Sequence, residues 1–538
     1  MSEHVALYDT TLRDGAQQEG ISLSVADKLS ALPILDELGV DYIEGGWPSA
    51  IPKDTQFFQR ARGIQLHHAR LTAFGATTKA GVRASEDRQV AGLAESGASV
   101  VTLVAKSDPR HVTRALRTTL EENLRMVRDT VEYLTGEGID VMVDLEHYFD
   151  GLAFDPSYGI EVMLEAARAG AVAVIPCDTN GGNLPSTIGA LTARSRQALD
   201  KAGCGLTVLG IHTHNDTGCA VANTIAAVEA GARQVQGTVN GYGERTGNAN
   251  LLTCAANLQI KCGFDVIPDD ALSSLDSVSY RIAELVNITP FARDPYVGTS
   301  AFAHKAGLHA SAIRVDPDLY QHIDPALVGN GMRMLVSEMA GKSSIELKAE
   351  ELGIDLTALP NAAGLLAAKV KEREAAGYTY DAADASFELL ALGELGQMPR
   401  FVRVESWKVT TQEIAEVKGD PFAESEATVK IHTERRHIRT AEGNGPVNAL
   451  DRALRHVLTR DYPVCASFKL SDFKVRILDE DRAGTDSTIR VLIETTDGHR
   501  SWSTVGIGTD IIEASWEALF DAYMWGLLHS GVAPLLRE

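Results

Sequence analysis

The sequence predicts a closed (β/α)8 TIM barrel of the α/β class, then a helical region, then a small α+β module. Three observations predict it. Short apolar runs alternate with amphipathic helical stretches, eight times before residue 267, and such alternation implies parallel βαβ units. Polar residues gather at the C-terminal ends of those runs, the rim on which barrel enzymes build their sites. No G-x-G-x-x-G opens a helix after the first run, which lowers the competing doubly wound sheet.

The strand-like runs fall at 5–9, 42–45, 71–75, 100–104, 141–146, 173–177, 207–212 and 234–239, with helical stretches such as 25–38, 118–134 and 220–230 between them. Arg13 and Asp14 follow the first run, and Glu44 lies in the second. Glu146 closes the fifth, Asp178 and Thr179 follow the sixth, and His212 and His214 mark the end of the seventh. From 267 to 396 helical patterns dominate, with loops at 287–300 and 316–331. Strands return after 397 in two similar halves. One reaches Gly443-Asn444-Gly445 before a helix at 449–458; the other reaches Gly506-Ile507-Gly508 before a helix at 511–528. This weak repeat suggests a module of two like parts. The expected domains are therefore 1–266, 267–396 and 397–538.

Composition narrows the function classes. A chain of 538 residues holds two to four domains, and 44% hydrophobic with 23% charged residues is the balance of a soluble globular protein. No run is long and apolar enough for a bilayer, and the N-terminus lacks a signal pattern, so a cytoplasmic location without membrane contact is expected. A net charge of −23 argues against a nucleic-acid surface and requires that any anionic substrate meet local positive charge. Six cysteines are scattered with no CxxC pair, which reads as buried reduced thiols.

His212-Thr213-His214 is the sharpest local signal. Residues two apart on a strand face the same side, so two imidazoles converge on one point. Asp14 supplies a hard oxygen donor from the opposite wall, and Asn248 a neutral one. One carboxylate and two imidazoles hold a divalent ion and leave positions open for a chelating substrate. The bland reading is a pair of hydrogen-bonded rim histidines.

Three motifs, DTTLRDGAQ at 9–17, HTHND at 212–216 and NGYGERTGN at 240–248, resemble the 2-isopropylmalate, homocitrate and citramalate synthase family of metal-dependent, lyase-like barrels. The resemblance covers essentially the whole chain, its terminal module resembling the family's regulatory domain. The stretches 42–54 and 144–151 most resemble the citramalate branch. The resemblance implies a divalent ion (Zn, Mg or Mn) on Asp14, His212 and His214, with Asn248 close or ligating. It implies acetyl-CoA and pyruvate as substrates, a homodimer with shared sites, and isoleucine as a feedback ligand. Arg13 would polarise the keto oxygen, aimed by Glu44; Thr179 would bind the keto-acid carboxylate, with Gln17 from the first motif beside the substrate. Glu146 matches the catalytic carboxylate, and His309 the histidine that reaches into the partner's barrel. Phe74, Leu103 and Tyr148 are the expected pocket walls. One departure stands out: synthases of the isopropylmalate type carry a tyrosine shortly after the V-G of the helical region, whereas Val328-Gly329 is followed here by Asn330, Gly331, Met332 and Arg333. The competing readings are 2-isopropylmalate or homocitrate synthesis, a hydroxyacyl-CoA lyase, and a catalytically dead amino-acid sensor.

Overall fold

A computed structural model describes residues 3–414, 422–478 and 487–536. Eight parallel strands close a barrel in sequence order: β1 (Ala6–Asp9), β2 (Tyr42–Gly46), β3 (Arg70–Ala76), β4 (Val100–Lys106), β5 (Asp140–Glu146), β6 (Ala173–Asp178), β7 (Val208–Thr213) and β8 (Gln234–Gly237). β8 closes on β1 with Tyr8 beside Gln236. Each predicted run is one of these strands, with ends within two residues.

The strands read as continuous apolar runs because both faces are covered. Tyr8, Val100, Met142, Ala173, Ile175 and Cys177 pack together inside the barrel, with Tyr42 against them. Leu7, Val101, Val143 and Val174 are equally buried, and strand alternation turns them outward to the helices. The first helix (Val25–Leu38) shows how local sequence sets an element. Ser24 and Asp27 form a reciprocal capping box at its start. Gly39 ends it at φ 85°, where a Cβ would stand 2.3 Å from Pro268.

The chain divides into two compact units, Met1–Phe302 with Asp324–Gly331, and Ala303–Ile323 with Met332–Glu538. The first holds the barrel and the helix Leu275–Val286. The second begins with the helices Gly307–Ile313, Lys342–Leu352, Ala362–Ala375 and Asp384–Glu394. It also holds a short parallel pair, β9 (Ala303–His304) and β10 (Arg333–Met334). The helical stretch of the sequence is thus shared between the units.

The terminal module has the two expected halves. β11 (Arg403–Ile414), β12 (Phe422–His432) and β13 (Arg436–Gly443) form an antiparallel sheet before the helix Pro446–Asp461. β14 (Lys469–Ile477), β15 (Ile489–Thr496) and β16 (Ser501–Gly508) repeat the pattern before Ile511–Leu528. One core joins them, including Ile431, Leu454, Ile493, Trp502 and Leu519. Near the end of each sheet stands a glycine that the following helix requires: a Cβ at Gly443 would stand 2.5 Å from Ala449 N, and one at Gly506 2.0 Å from Ala514 O. Among the described residues no helix is long and apolar enough to cross a membrane.

Candidate active site

The C-terminal rim of the barrel brings three sequence-predicted donors together. Ligand atoms of Asp14, His212 and His214 all lie within 4.8 Å of one another, and all three residues are buried. Asp14 precedes the one-turn helix Gly15–Gln17 that follows β1, His212 lies in β7, and His214 comes directly after it. His212 Nε2 is 3.3 Å from Asp14 Oδ2 and 3.2 Å from His214 Nε2. Burial alone would raise the Asp14 carboxyl, but Arg13 and the two imidazoles hold it well below the usual carboxylate range. Burial, with His212 beside it, pushes His214 down to about 3, so it stays neutral and available as a ligand.

These residues fit a divalent ion on two further counts. His212 Nδ1–H donates to Gln236 Oε1 at 2.8 Å, and Gln236 Nε2 donates to Asp144 Oδ1 at 2.8 Å. That chain leaves the His212 Nε2 lone pair facing the cluster. Asn248 pairs with His214 across a β-bridge. Its amide nitrogen donates to Tyr242 O at 3.1 Å, while its Oδ1 is buried without a donor. A buried unsatisfied acceptor costs about 1–3 kcal/mol, which a cation offsets. Burial pushes the Asp144 carboxyl up to about 7.

Arg13 and Glu44 form a second buried set. Arg13 Nε–H donates to Glu44 Oε2 at 2.5 Å, and Glu44 Oε1 accepts from Tyr8 OH at 2.8 Å. The Tyr8 hydroxyl also lies 2.7 Å from Thr102 Oγ1. The guanidinium sits over the Phe74 ring, 3.9 Å from its centroid. Trp47 meets Phe74 edge-on with centroids 5.5 Å apart. Arg13 is therefore held by its pair with Glu44 and its contact with Phe74 together.

On the other side of the rim Glu146 pairs with Lys106, the last residue of β4. Thr179 Oγ1 accepts the His147 N–H at 2.7 Å, which leaves its hydroxyl proton free for a ligand. Gln17 is exposed at the end of its turn, with no side-chain bond among the described residues. His309 belongs to the second unit, on the helix Gly307–Ile313. There its ring stacks on Tyr320 at 4.1 Å between centroids, so an aromatic accompanies it despite the missing tyrosine after Val328-Gly329.

Two expected wall residues face elsewhere. Leu103 is paired in register with Gly75, whose Cβ would point at Leu93 in the surrounding helix Arg88–Ala94. The inward phase of β4 belongs instead to Thr102, which meets Tyr8 inside the barrel. Tyr148 turns outward and lies 2.7 Å from Ser195 on the helix Pro185–Lys201. Phe74, beneath Arg13, keeps its place in the site. Sequence reasoning passed over Gln236, Asp144 and Lys106. Gln236 and Asp144 are polar residues in strands expected to be buried, which is the signal that marks them, whereas Lys106 lies two residues beyond the expected run 100–104.

A closed parallel barrel with a carboxylate and two imidazoles gathered on its C-terminal rim defines a barrel enzyme of the metal-dependent, lyase-like class. The HMGL-like family matches residues 4–281. The homocitrate synthase post-HMGL domain-like family matches 296–374, and the LeuA allosteric (dimerisation) domain matches 381–525. The chain is 57% identical to the (R)-citramalate synthase of Streptomyces coelicolor, over 98% of this chain and 97% of that one. It is 47% identical to that of Aquifex aeolicus, over 98% of each. It is 46% identical to that of Synechocystis sp., over 97% and 96%. The chain belongs to the citramalate synthase family.

Proposed function

We propose that the chain condenses acetyl-CoA with pyruvate and water to give citramalate and CoA, an early step of isoleucine synthesis. The observation that carries this reading is the 57% identity with an (R)-citramalate synthase along 98% of the chain. A divalent ion on Asp14, His212 and His214, with Asn248 adjoining, would supply Lewis acidity to the chelated keto acid. Arg13, clamped by Glu44, donates to the keto oxygen as negative charge grows there. The free hydroxyl proton of Thr179 meets the substrate carboxylate. His309, supplied by the partner of a homodimer, takes a methyl proton from acetyl-CoA, with Glu146 as helper. The resulting enolate attacks the keto carbon, water then cleaves the thioester, and CoA departs. Arg13 and the ion together answer the problem that an acidic chain poses for anionic substrates.

The test is one assay of thiol release across pyruvate, 2-oxobutyrate, 2-oxoisovalerate and 2-oxoglutarate. The Phe74–Trp47 wall beside Arg13 supports a small pocket that rejects an isopropyl group sterically. We expect kcat/KM for pyruvate to exceed that for 2-oxoisovalerate by at least about 100-fold. The reverse order would assign the chain to 2-isopropylmalate synthesis.

Isoleucine is the proposed feedback ligand of the terminal module. The two helix starts are not equivalent. Asp510 caps the second, accepting from Ile512 N and Glu513 N at 2.8 and 2.9 Å, so those donors are already used. The first begins at Gly445 and Pro446 without a side-chain cap. A cavity of about 410 Å³ lies there, lined by Asn444, Gly445, Val447, Asn448, Leu470 and Phe473 among others. Backbone donors for a carboxylate next to apolar walls suit a branched-chain amino acid. We expect calorimetric binding of isoleucine to the intact enzyme and inhibition over the same concentration range. Linkage requires that saturating pyruvate weaken isoleucine by the same factor. Silence to isoleucine, leucine and valine at millimolar concentration would leave the module purely structural.

A further inference from the structure

The loop after β4 stands out against the charge of the rest of the chain. Within a protein of net charge −23, residues 106–117 hold Lys106, Arg110, Arg114 and Arg117 against one carboxylate, Asp108. Two of the four cations are committed. Lys106 pairs with Glu146, and Arg110 forks onto Asp108, with Nη2 to Oδ2 at 2.6 Å. Arg114 and Arg117 are exposed, and among the described residues neither has a carboxylate partner. The backbone that carries them is irregular. Val112–Leu116 is a π-helical turn, and Arg117 closes it at φ 55°. Such widened turns and left-handed positions concentrate at functional sites.

An aromatic surface adjoins the same loop at Arg110. Phe154 is 59% exposed, and the Arg110 guanidinium lies 4.9 Å from its ring centroid. Leu116 is exposed in the same loop. A loop that carries exposed arginines without carboxylate partners at 114 and 117, and an open aromatic face against Arg110, offers the chemistry that holds a phosphorylated nucleoside: charge for the phosphates, a π surface for the base. The loop is also anchored at the reaction end. Ser107 donates to the Glu146 carbonyl through both its amide, at 3.2 Å, and its hydroxyl, at 2.7 Å.

We infer that the loop after β4 binds the phosphorylated adenosine end of acetyl-CoA, with Arg114 and Arg117 on the phosphates and Phe154 against the adenine. The inference rests on the proposed reading that acetyl-CoA is the acyl donor. A keto acid is too small to reach from the metal cluster to an outer loop, whereas the pantetheine arm is built to span such a gap. With Glu146 near the thioester, the anchored loop sets the phosphates at the far end of that arm.

The test compares acetyl-CoA with S-acetyl-N-acetylcysteamine, which has the thioester but neither phosphates nor adenosine. In the full-length, metal-loaded enzyme, Arg114→Gln combined with Arg117→Gln should raise KM for acetyl-CoA about tenfold. KM for pyruvate should stay unchanged. The preference for acetyl-CoA over the truncated thioester should fall by the same factor, and the salt dependence of KM should flatten. Phe154→Ala should weaken CoA binding, read by calorimetry, without changing its salt dependence. An unchanged preference for acetyl-CoA in the double variant would overturn the inference, as would equal losses on both thioesters. If the wild-type enzyme consumed no acetyl-CoA with any keto acid, the proposed function would fail instead, so the two failures are separable.

Discussion

His212→Ala is expected to lose tight binding of a divalent ion and to lower kcat by at least about 10³-fold, because the Lewis acid supplies several kcal/mol to the transition state. The geometry makes His212 the keystone of the cluster. Its Nε2 lies between Asp14 Oδ2 at 3.3 Å and His214 Nε2 at 3.2 Å. Its Nδ1–H donates into a hydrogen-bonded chain, by way of Gln236 to Asp144, which fixes the orientation of the Nε2 ligand atom. A graded series follows. Gln236→Leu keeps every ligand but frees the imidazole to rotate and to change tautomer; metal affinity should fall by about 10–100-fold. Titration of the ion into chelator-stripped protein reads affinity directly, apart from turnover. Full activity of His212→Ala after exhaustive chelation would sink the metal assignment.

How much of this was legible in the sequence depends on what each feature leaves in a linear string. The barrel was legible because strand and helix leave different periods, and because eight of each alternate. The Asp14–His212–His214 set was legible because two of its members lie two apart at the end of one strand. Gln236 and Asp144 were not: they meet 92 residues apart, and a single glutamine in a strand has no spacing partner. Leu103 was misplaced for a related reason. The run Val100–Lys106 is apolar on both faces, so its inward phase is invisible until β3 and β5 flank it. Tyr148 was misplaced because His147 adopts φ 60°, which turns the chain out of the strand direction. In the module, the glycine turns before each helix were legible in the sequence, and the structure shows them letting the following helix pack close. The acidic residue at 510 carried a plain capping signal, and its consequence is that only the first helix start remains open.

Arg13→Lys is expected to lower kcat by about 10²–10³-fold while leaving metal affinity within a few-fold of wild type. The substitution separates charge from geometry. Removing the cation altogether would strand Glu44, whose side chain is fully buried, and a buried charge without its partner costs about 3–5 kcal/mol, which would confuse folding with catalysis. Lysine keeps the positive charge opposite Glu44 and Asp14. It cannot reproduce the planar fork, which spends Nε on Glu44 at 2.5 Å and, in the proposed reaction, turns its terminal nitrogens to the keto oxygen. It also forfeits the flat stacking on Phe74, where the guanidinium lies 3.9 Å from the ring centroid. The Tyr8 hydroxyl, donating to Glu44 at 2.8 Å, would then orient a carboxylate that no longer aims its partner. The loss should appear in kcat at saturating pyruvate and acetyl-CoA, because the interaction strengthens only as the alkoxide forms. Calorimetry of the divalent ion should give an affinity close to wild type, since Asp14, His212 and His214 are untouched. A kcat within about threefold of wild type would mean that Arg13 acts only as a structural partner of Glu44, and the role of polarising the keto oxygen would pass from it.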